Sequence, residues 1–350
     1  MNMTKRTAAL FLAAVLFLTP AAAAPEHSAR SAILLDAMTG RVLYEHNADA
    51  KSLIASTTKI MTGLLIAEQC SEESRVEIPP QATGIEGSSL YLQAGEVLSM
   101  KELLYGMLLH SGNDAATALA IHLDGSTEAF AARMNEKARQ LGLDATQFAN
   151  PHGLDSEHNY STARDLAHLA AYALEHPLFR EVVSTKAVTV GHRVLQNHNK
   201  LLWRYDGAMG VKTGYTKAAG RILVSAAERS GRRLVAVTLN DPKDWDDHIR
   251  LLDYGFDRFV SKSVLTADEP VAHIPVLSGS RRLLAAAAKE TVACPVAEGE
   301  TVIVRLHLPK FVFAPIEEGT YAGQAEILIG GTVLASVPLY WQDSAEQLRR

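Results

Sequence analysis

Ser56 and Lys59 are two side chains whose types and spacing could do covalent chemistry, in the run Ser56-Thr57-Thr58-Lys59. The apolar-periodic stretch Ile60, Met61, Leu64 and Leu65 follows at once, which predicts a helix opening at or next to Ser56. On a helix, residues three apart share a face with Cβ atoms about 5–6 Å apart, so the Lys59 amine can reach the Ser56 hydroxyl. A hydroxyl is a poor nucleophile until a neighbour takes its proton, and the backbone N–H groups of a helix N-terminus can hold the oxyanion that its attack creates. The plain alternative is a helix start with a surface lysine, since S-x-x-K alone arises often by chance.

Two further polar elements bear on this pair. Ser111-Gly112-Asn113 interrupts two helical patterns, so its side chains project from a tight connection, although a helix linker with a glycine cap would look the same. Lys212-Thr213-Gly214 immediately precedes the strand pattern Ile222–Ala227. A lysine and a threonine at a strand edge could bind a carboxylate, and the glycine would let a ligand approach the backbone. Each is weak alone. In this order, with roughly 55 and 100 residues between them, S-x-x-K, S-G-N and K-T-G make chance improbable. The closely related set with S-D-N in the middle marks class A β-lactamases and penicillin-binding proteins.

The elements that must position these residues follow from the pattern. Ser31–Asp36 and Arg41–Glu45 around Gly40 read as a hairpin, and the stretch 76–98 is irregular, broken by Pro79-Pro80, Gly84, Gly87 and Gly95. Helical patterns cover 101–109, 114–122, 127–140 and 162–174. Strand patterns return in 222–227 and 233–239, and an amphipathic helix spans 246–259. A helical block between two hairpins predicts an α+β fold, one antiparallel sheet covered by helices. Beyond 261, short alternating runs such as 301–307 and 325–329 predict a separate small all-β domain.

Length and composition agree with this division. The chain has 350 residues, enough for two domains, with 47% apolar and 21% charged residues, ordinary for a folded soluble protein. Its net charge of −5 becomes more negative if Lys5 and Arg6 leave with a leader, so nothing favours nucleic acid. Residues 1–24 have the basic, apolar and small-residue regions of a secretory signal peptide. The organisation expected is therefore a leader over 1–24, a catalytic domain over 25–260, an all-β domain over 261–342 and a polar tail over 343–350. Export permits disulfides, but Cys70 and Cys294 fall in different domains and are expected as free thiols.

The sequence resembles the low-molecular-mass penicillin-binding proteins, the serine-type D-alanyl-D-alanine carboxypeptidases, a likeness carried by Ile54–Met61, His110–Ala115, Asn150–Asp155, Asn197–Lys200 and Gly210–Thr216. It covers about residues 30–259, and the trailing β domain looks like the family's second domain. The resemblance implies a β-lactamase/transpeptidase-like fold and an acyl-enzyme made on Ser56 from peptidoglycan stem peptides ending in D-Ala-D-Ala, with β-lactams as covalent inhibitors. It implies that Lys59 is the base and that Ser111 relays a proton to the departing D-alanine. Asn113 would hold a substrate amide, Lys212 and Thr213 the terminal carboxylate with Gly214 beside them, and the backbone N–H groups of Ser56 and Tyr215 the oxyanion. No metal or organic cofactor is required.

Other features keep plainer readings. Asp244, Asp246, Asp247 and His248 suit a carboxylate-rich helix start better than a metal site. His152 is expected as a wall of the cleft rather than a general base. The tail has no apolar face, so membrane association lacks an evident anchor helix: either the protein is released, or the chain stops before an anchor. A β-lactamase and a β-lactam sensor share the acylation machinery. The first is disfavoured by the lack of an E-x-x-L-N element between the second and third motifs, the second by the lack of transmembrane and output segments.

Overall fold

The computed structural model describes residues 24–348, so all but the last residue of the expected leader over 1–24 lies outside the described residues. Strands β1 (Ser31–Asp36) and β2 (Val42–His46) form the first hairpin, as the turn at Gly40 required. Much later in the chain come β3 (Ala208–Thr216), β4 (Gly220–Arg229) and β5 (Arg232–Leu239). They assemble into one antiparallel sheet in the order β2-β1-β5-β4-β3, with β1 against β5 in the register Ser31 to Leu239. Strand β3 is therefore an edge.

Both faces of the sheet are buried, and side chains divide between them with the two-residue period of a strand. Ile33 and Leu35 of β1, with Val235 and Val237 of β5, join the core beneath the helical block. Ala32, Leu34, Leu234 and Ala236 point the opposite way, against Leu251 and Leu252 of a helix spanning Asp244–Arg258. The helical block comprises α1 (Lys59–Gln69), α2 (Met100–Leu109), α3 (Asn113–Asp124), α4 (Thr127–Gln140), α5 (Ala163–Ala173) and α6 (Pro177–Ser184). A short α7 (Leu201–Arg204) and α8 (Asp244–Arg258) follow. Ser99 caps α2 in a reciprocal capping box with Glu102. Pro177 takes the first turn of α6, a position where its missing N–H costs nothing.

Two details differ from the sequence reading. Ser56 lies in a 3-10 turn, Ala55–Thr58, and the α-helix proper begins at Lys59. Lys212-Thr213-Gly214 does not merely precede a strand; it is the middle of β3, which pairs Lys212 with Val224 and Gly214 with Ile222. Helix α6 and the hairpin Ala187–Val190/Arg193–Gln196 add elements that the periodicity had not revealed, both too short to show a clear repeat.

Beyond α8, a two-stranded ladder pairs Phe259–Leu265 with Val292–Ala297, and a six-stranded sheet carries the second core around Leu284, Ile327, Leu339 and Trp341. The C-terminal unit is thus all-β. Residues 343–348 are not a free tail: Ile316 bridges Ala345 and Gly279 bridges Gln347, and Ala345 is buried. Arg41 reaches from the first hairpin to the Pro295 carbonyl and to Glu300, with its guanidinium over Phe259, which ties the two units together. Cys70 and Cys294 are free thiols. No described helix is long and apolar enough to cross a membrane.

His248 fastens α8 to the sheet. Its ring is fully buried between Ser225 of β4, 2.6 Å from Nδ1, and Thr238 of β5, 2.9 Å from Nε2. Burial pushes its pKa down to about 3. A group with a depressed folded pKa stabilises the fold above its unfolded value, near 6.5, and that contribution is lost as pH falls towards the folded value. The wild type should therefore lose about 1.4 kcal/mol per pH unit through this histidine between about pH 6 and 3. Denaturant titrations of wild type and His248→Gln across that range should show a shallower acid dependence for the variant.

Candidate active site

The 3-10 turn places the Ser56 hydroxyl one turn ahead of Lys59, whose side chain runs inward and is fully buried. Its Nζ has three partners: Ser56 Oγ at 3.1 Å, Asn113 Oδ1 at 2.7 Å and the His152 carbonyl at 2.5 Å. Burial drives the Lys59 pKa well below the usual lysine value, and the Lys212 charge lowers it further, against an opposing pull from Asp114. A neutral amine has two N–H bonds and one lone pair. Given to Asn113 and His152, the two N–H bonds leave the lone pair facing the serine hydroxyl, the arrangement needed to take its proton.

Asn113 is itself fixed at its other end, where Nδ2 donates to the Glu86 carbonyl at 2.6 Å. Both ends of its amide are thus engaged within the protein, Oδ1 by Lys59 and Nδ2 by Glu86. Ser111 opens on the cleft with a left-handed backbone, φ 65°, and its side chain makes no hydrogen bond to Ser56 or Lys59 among the described contacts. Lys212 is only 1% exposed, and its Nζ donates to the Thr213 carbonyl at 2.9 Å. Burial brings its pKa to about 7. Thr213, Gly214 and Tyr215 line the cleft together with Ser56, Ser111 and Ser88, enclosing a volume of about 980 Å³.

Glycine leaves room where β3 meets the serine turn. A Cβ on Gly214 would stand 3.2 Å from the Ile54 carbonyl oxygen and 3.3 Å from the Ser56 nitrogen. The strand can therefore lie against the Ser56 amide, and Tyr215 follows on the wall of the cleft.

Three supports escaped the sequence reading. Gly153 has φ +90°, and a Cβ there would fall 1.9 Å from the Ala55 carbonyl oxygen, so the loop carrying Asn150-Pro-His-Gly is pressed onto the back of the nucleophile turn. Asp114 is buried and accepts from the amides of Leu90 and Leu92 and from Ser89, pinning the cleft's upper loop. Asn159 donates to Thr58 Oγ1 at 3.0 Å. The Gly after Pro-His was the available signal, since a glycine amid polar loop residues marks either positive φ or close approach. His152 differs from the expected cleft wall. Its carbonyl holds Lys59, while its ring, pKa lowered to about 4 by burial and by Lys59, accepts from the Leu154 amide. Among the described residues no cluster of His, Cys, Asp or Glu forms a metal site; Asp244 instead pairs with Arg221 and Asp247 with Arg250 and Ser28.

An antiparallel sheet with a helical block, a serine and a fully buried lysine on one turn, and a Lys-Thr-Gly edge strand facing them define the class: serine-type peptidases of the penicillin-binding, transpeptidase-like fold. The chain belongs to the D-alanyl-D-alanine carboxypeptidase family, whose model matches residues 19–243, and the model of the penicillin-binding protein 5 C-terminal domain matches residues 259–347. It is 33% identical to the D-alanyl-D-alanine carboxypeptidase DacF of Bacillus subtilis over 89% of this chain and 85% of that one. It is 32% identical to DacC of Escherichia coli over 93% and 86%. Penicillin binding protein 5 from Haemophilus influenzae superposes with a TM-score of 0.82 at 29% identity, covering 93% of this chain and 99% of that one.

The Gly153 contact yields a test. Gly153→Ala must displace the Ala55–Ser56 turn, and a misplacement of about 1 Å at a reacting group can cost about 100-fold in rate. Labelling by a fluorescent penicillin should fall by that order. Gly191→Ala, at φ +56° with open space around it, should label as the wild type does.

Proposed function

We propose that the protein removes the terminal D-alanine from peptidoglycan stem peptides ending in D-Ala-D-Ala, at the outer side of the cytoplasmic membrane. Neutral Lys59 takes the Ser56 proton as Oγ attacks the carbonyl between the two D-alanines. The oxyanion so formed rests on the N–H groups of Ser56 and Tyr215; losing one such donor typically costs about 2.7–4 kcal/mol. Ser111 passes a proton to the amide nitrogen, D-alanine departs, and water hydrolyses the ester on Ser56. Thr213 receives the terminal carboxylate, with the Lys212 charge behind it. A β-lactam acylates the same serine, but its leaving group stays tethered to the acyl-enzyme.

The observation that carries this reading is the bonding of Lys59, which leaves a lone pair for one hydroxyl only. Incubation with a peptide ending in D-Ala-D-Ala and with penicillin separates it from the alternatives. Repeated release of free D-alanine with one penicillin retained per protein supports the carboxypeptidase; rapid penicillin turnover would mean a β-lactamase, and stable acylation with no D-alanine a sensor.

Ser56→Ala should abolish both D-alanine release and covalent labelling while the fold survives, and labelling at another serine would overturn the assignment. Lys59→Ala should slow acylation by about 10²–10⁴-fold, the usual worth of positioned proton transfer. The rate should rise with pH as Lys59 loses its proton. Because the Lys212 charge lowers the Lys59 pKa, Lys212→Met should raise it and move that rising limb to higher pH. An unmoved limb, measured at fixed ionic strength, would show that Lys212 is only packing.

A further inference from the structure

A D-alanine leaving group fills little of this cleft. In the carboxypeptidase reading Ser111 and Thr213 bracket the departing residue, whose side chain is a single methyl group, yet the cavity they line encloses about 980 Å³, room for a drug-sized ligand. Thr213 stands opposite Leu223, which packs with Leu251 and Leu252 of α8, so the threonine and α8 share one face of the sheet. On that side the cavity continues to apolar side chains from three separate elements: Val194 on the hairpin strand Arg193–Gln196, Trp203 on α7 and Trp245 at the start of α8. Val194 is 77% exposed and Trp203 46%. A tryptophan so open to water on a cavity wall offers surface for a ligand to cover.

This end of the cleft is rigidly built. Asn197 and Asn199 are buried and fix the segment that leads into α7: Asn197 Nδ2 donates to the Val183 and Thr185 carbonyls at 3.1 and 3.0 Å, and Asn199 Oδ1 accepts from the Leu201 amide at 3.0 Å. The His198 amide donates to the Leu109 carbonyl, and its ring lies 5.0 Å from that of His110, next in sequence to Ser111. Arg204 pairs with Asp246 at 2.6 Å, which ties α7 to the first turn of α8. Arg221 pairs with Asp244, so both arginines of this wall are already engaged. Lys200 has no carboxylate partner among the described residues, which makes an acidic side chain the competing fit.

Resting on the carboxypeptidase reading, we infer that Trp203 and Trp245 form a side-chain pocket for the leaving residue, so that the protein releases D-amino acids with large aromatic side chains as well as D-alanine. The substrate class is a peptide ending in D-Ala followed by D-tryptophan, D-tyrosine or D-phenylalanine. The bonds made and broken stay those of D-alanine release: the peptide C–N bond is cleaved, the leaving nitrogen takes a proton through Ser111, and water then frees the acyl group from Ser56. Trp203 is a specificity-determining residue, since an indole face stacks on another ring and gains little from a methyl group.

The test measures kcat/KM for release of the last residue from three peptides that differ only there, ending in D-Ala-D-Ala, D-Ala-D-Trp and D-Ala-D-Glu. Wild type should cleave the D-Trp peptide within about 10-fold of the D-Ala peptide, and faster than the D-Glu peptide. Trp203→Ala and Trp245→Ala should each lower the ratio of D-Trp to D-Ala release by about 10-fold, through KM, the order expected for losing an aromatic contact and its buried area. Trp203→Phe should restore most of that ratio. A wild type that is slower on D-Trp by more than this margin, one that prefers D-Glu to D-Trp, or a ratio that both alanine variants leave unmoved would overturn the inference with the carboxypeptidase reading intact. A wild type that releases none of the three residues would overturn both.

Discussion

The burial of one amine governs this structure. Lys59 is fully buried with no carboxylate bonded to it among the described residues, and an ammonium in such a place costs several kcal/mol even when its protons are accepted. Besides Ser56 the amine meets an asparagine oxygen and a backbone carbonyl, both uncharged, so nothing counters the loss of a proton except the more distant Asp114. A carboxylate in either position would have fixed the ammonium and ended its use as a base. The two neutral acceptors come from α3 and from the loop before Gly153, so two separate elements must converge on α1 to within hydrogen-bond distance.

That convergence explains the architecture around it. The helical block packs α1 beneath one sheet face, and β5, the central strand, is buried on both sides, with the β3 edge two strands away opposite the serine turn. Glycines appear where backbone must approach backbone: Gly214 on one side of the turn and Gly153 on the other. The serine is thus clamped between two stretches of main chain, and its position depends on side chains that are absent.

Much of this was legible in the residues. The order and spacing of Ser56, Lys59, Ser111, Asn113 and Lys212 pointed to one site, and the hairpins and long helices followed from periodicity. The bonding of Asn113 and the burial of Lys212 were not legible, because a motif gives residue types and not which partner each side chain finds once loops 86–92 and 150–154 have closed. Gly153 and Asp114 lay inside words already singled out, yet their roles are set by contacts across roughly 100 and 25 residues of chain. Short elements such as α6 were missed for a simpler reason: eight residues span barely two helical turns, too few for a repeat to show.

Strand β3 is an edge, and an edge leaves a row of main-chain donors and acceptors without a neighbour. Proteins usually guard such a row with charge, proline or a bulge, since another sheet could pair with it and start aggregation. Here the row is covered in part: a Cβ on Gly210 would stand 2.8 Å from the Val183 carbonyl of α6, and one on Gly214 3.2 Å from the Ile54 carbonyl, so a helix and the serine turn lie against the strand. The same packing that denies another sheet the edge leaves Thr213 and Tyr215 facing the cleft, so what stays open of the strand is the part beside the serine.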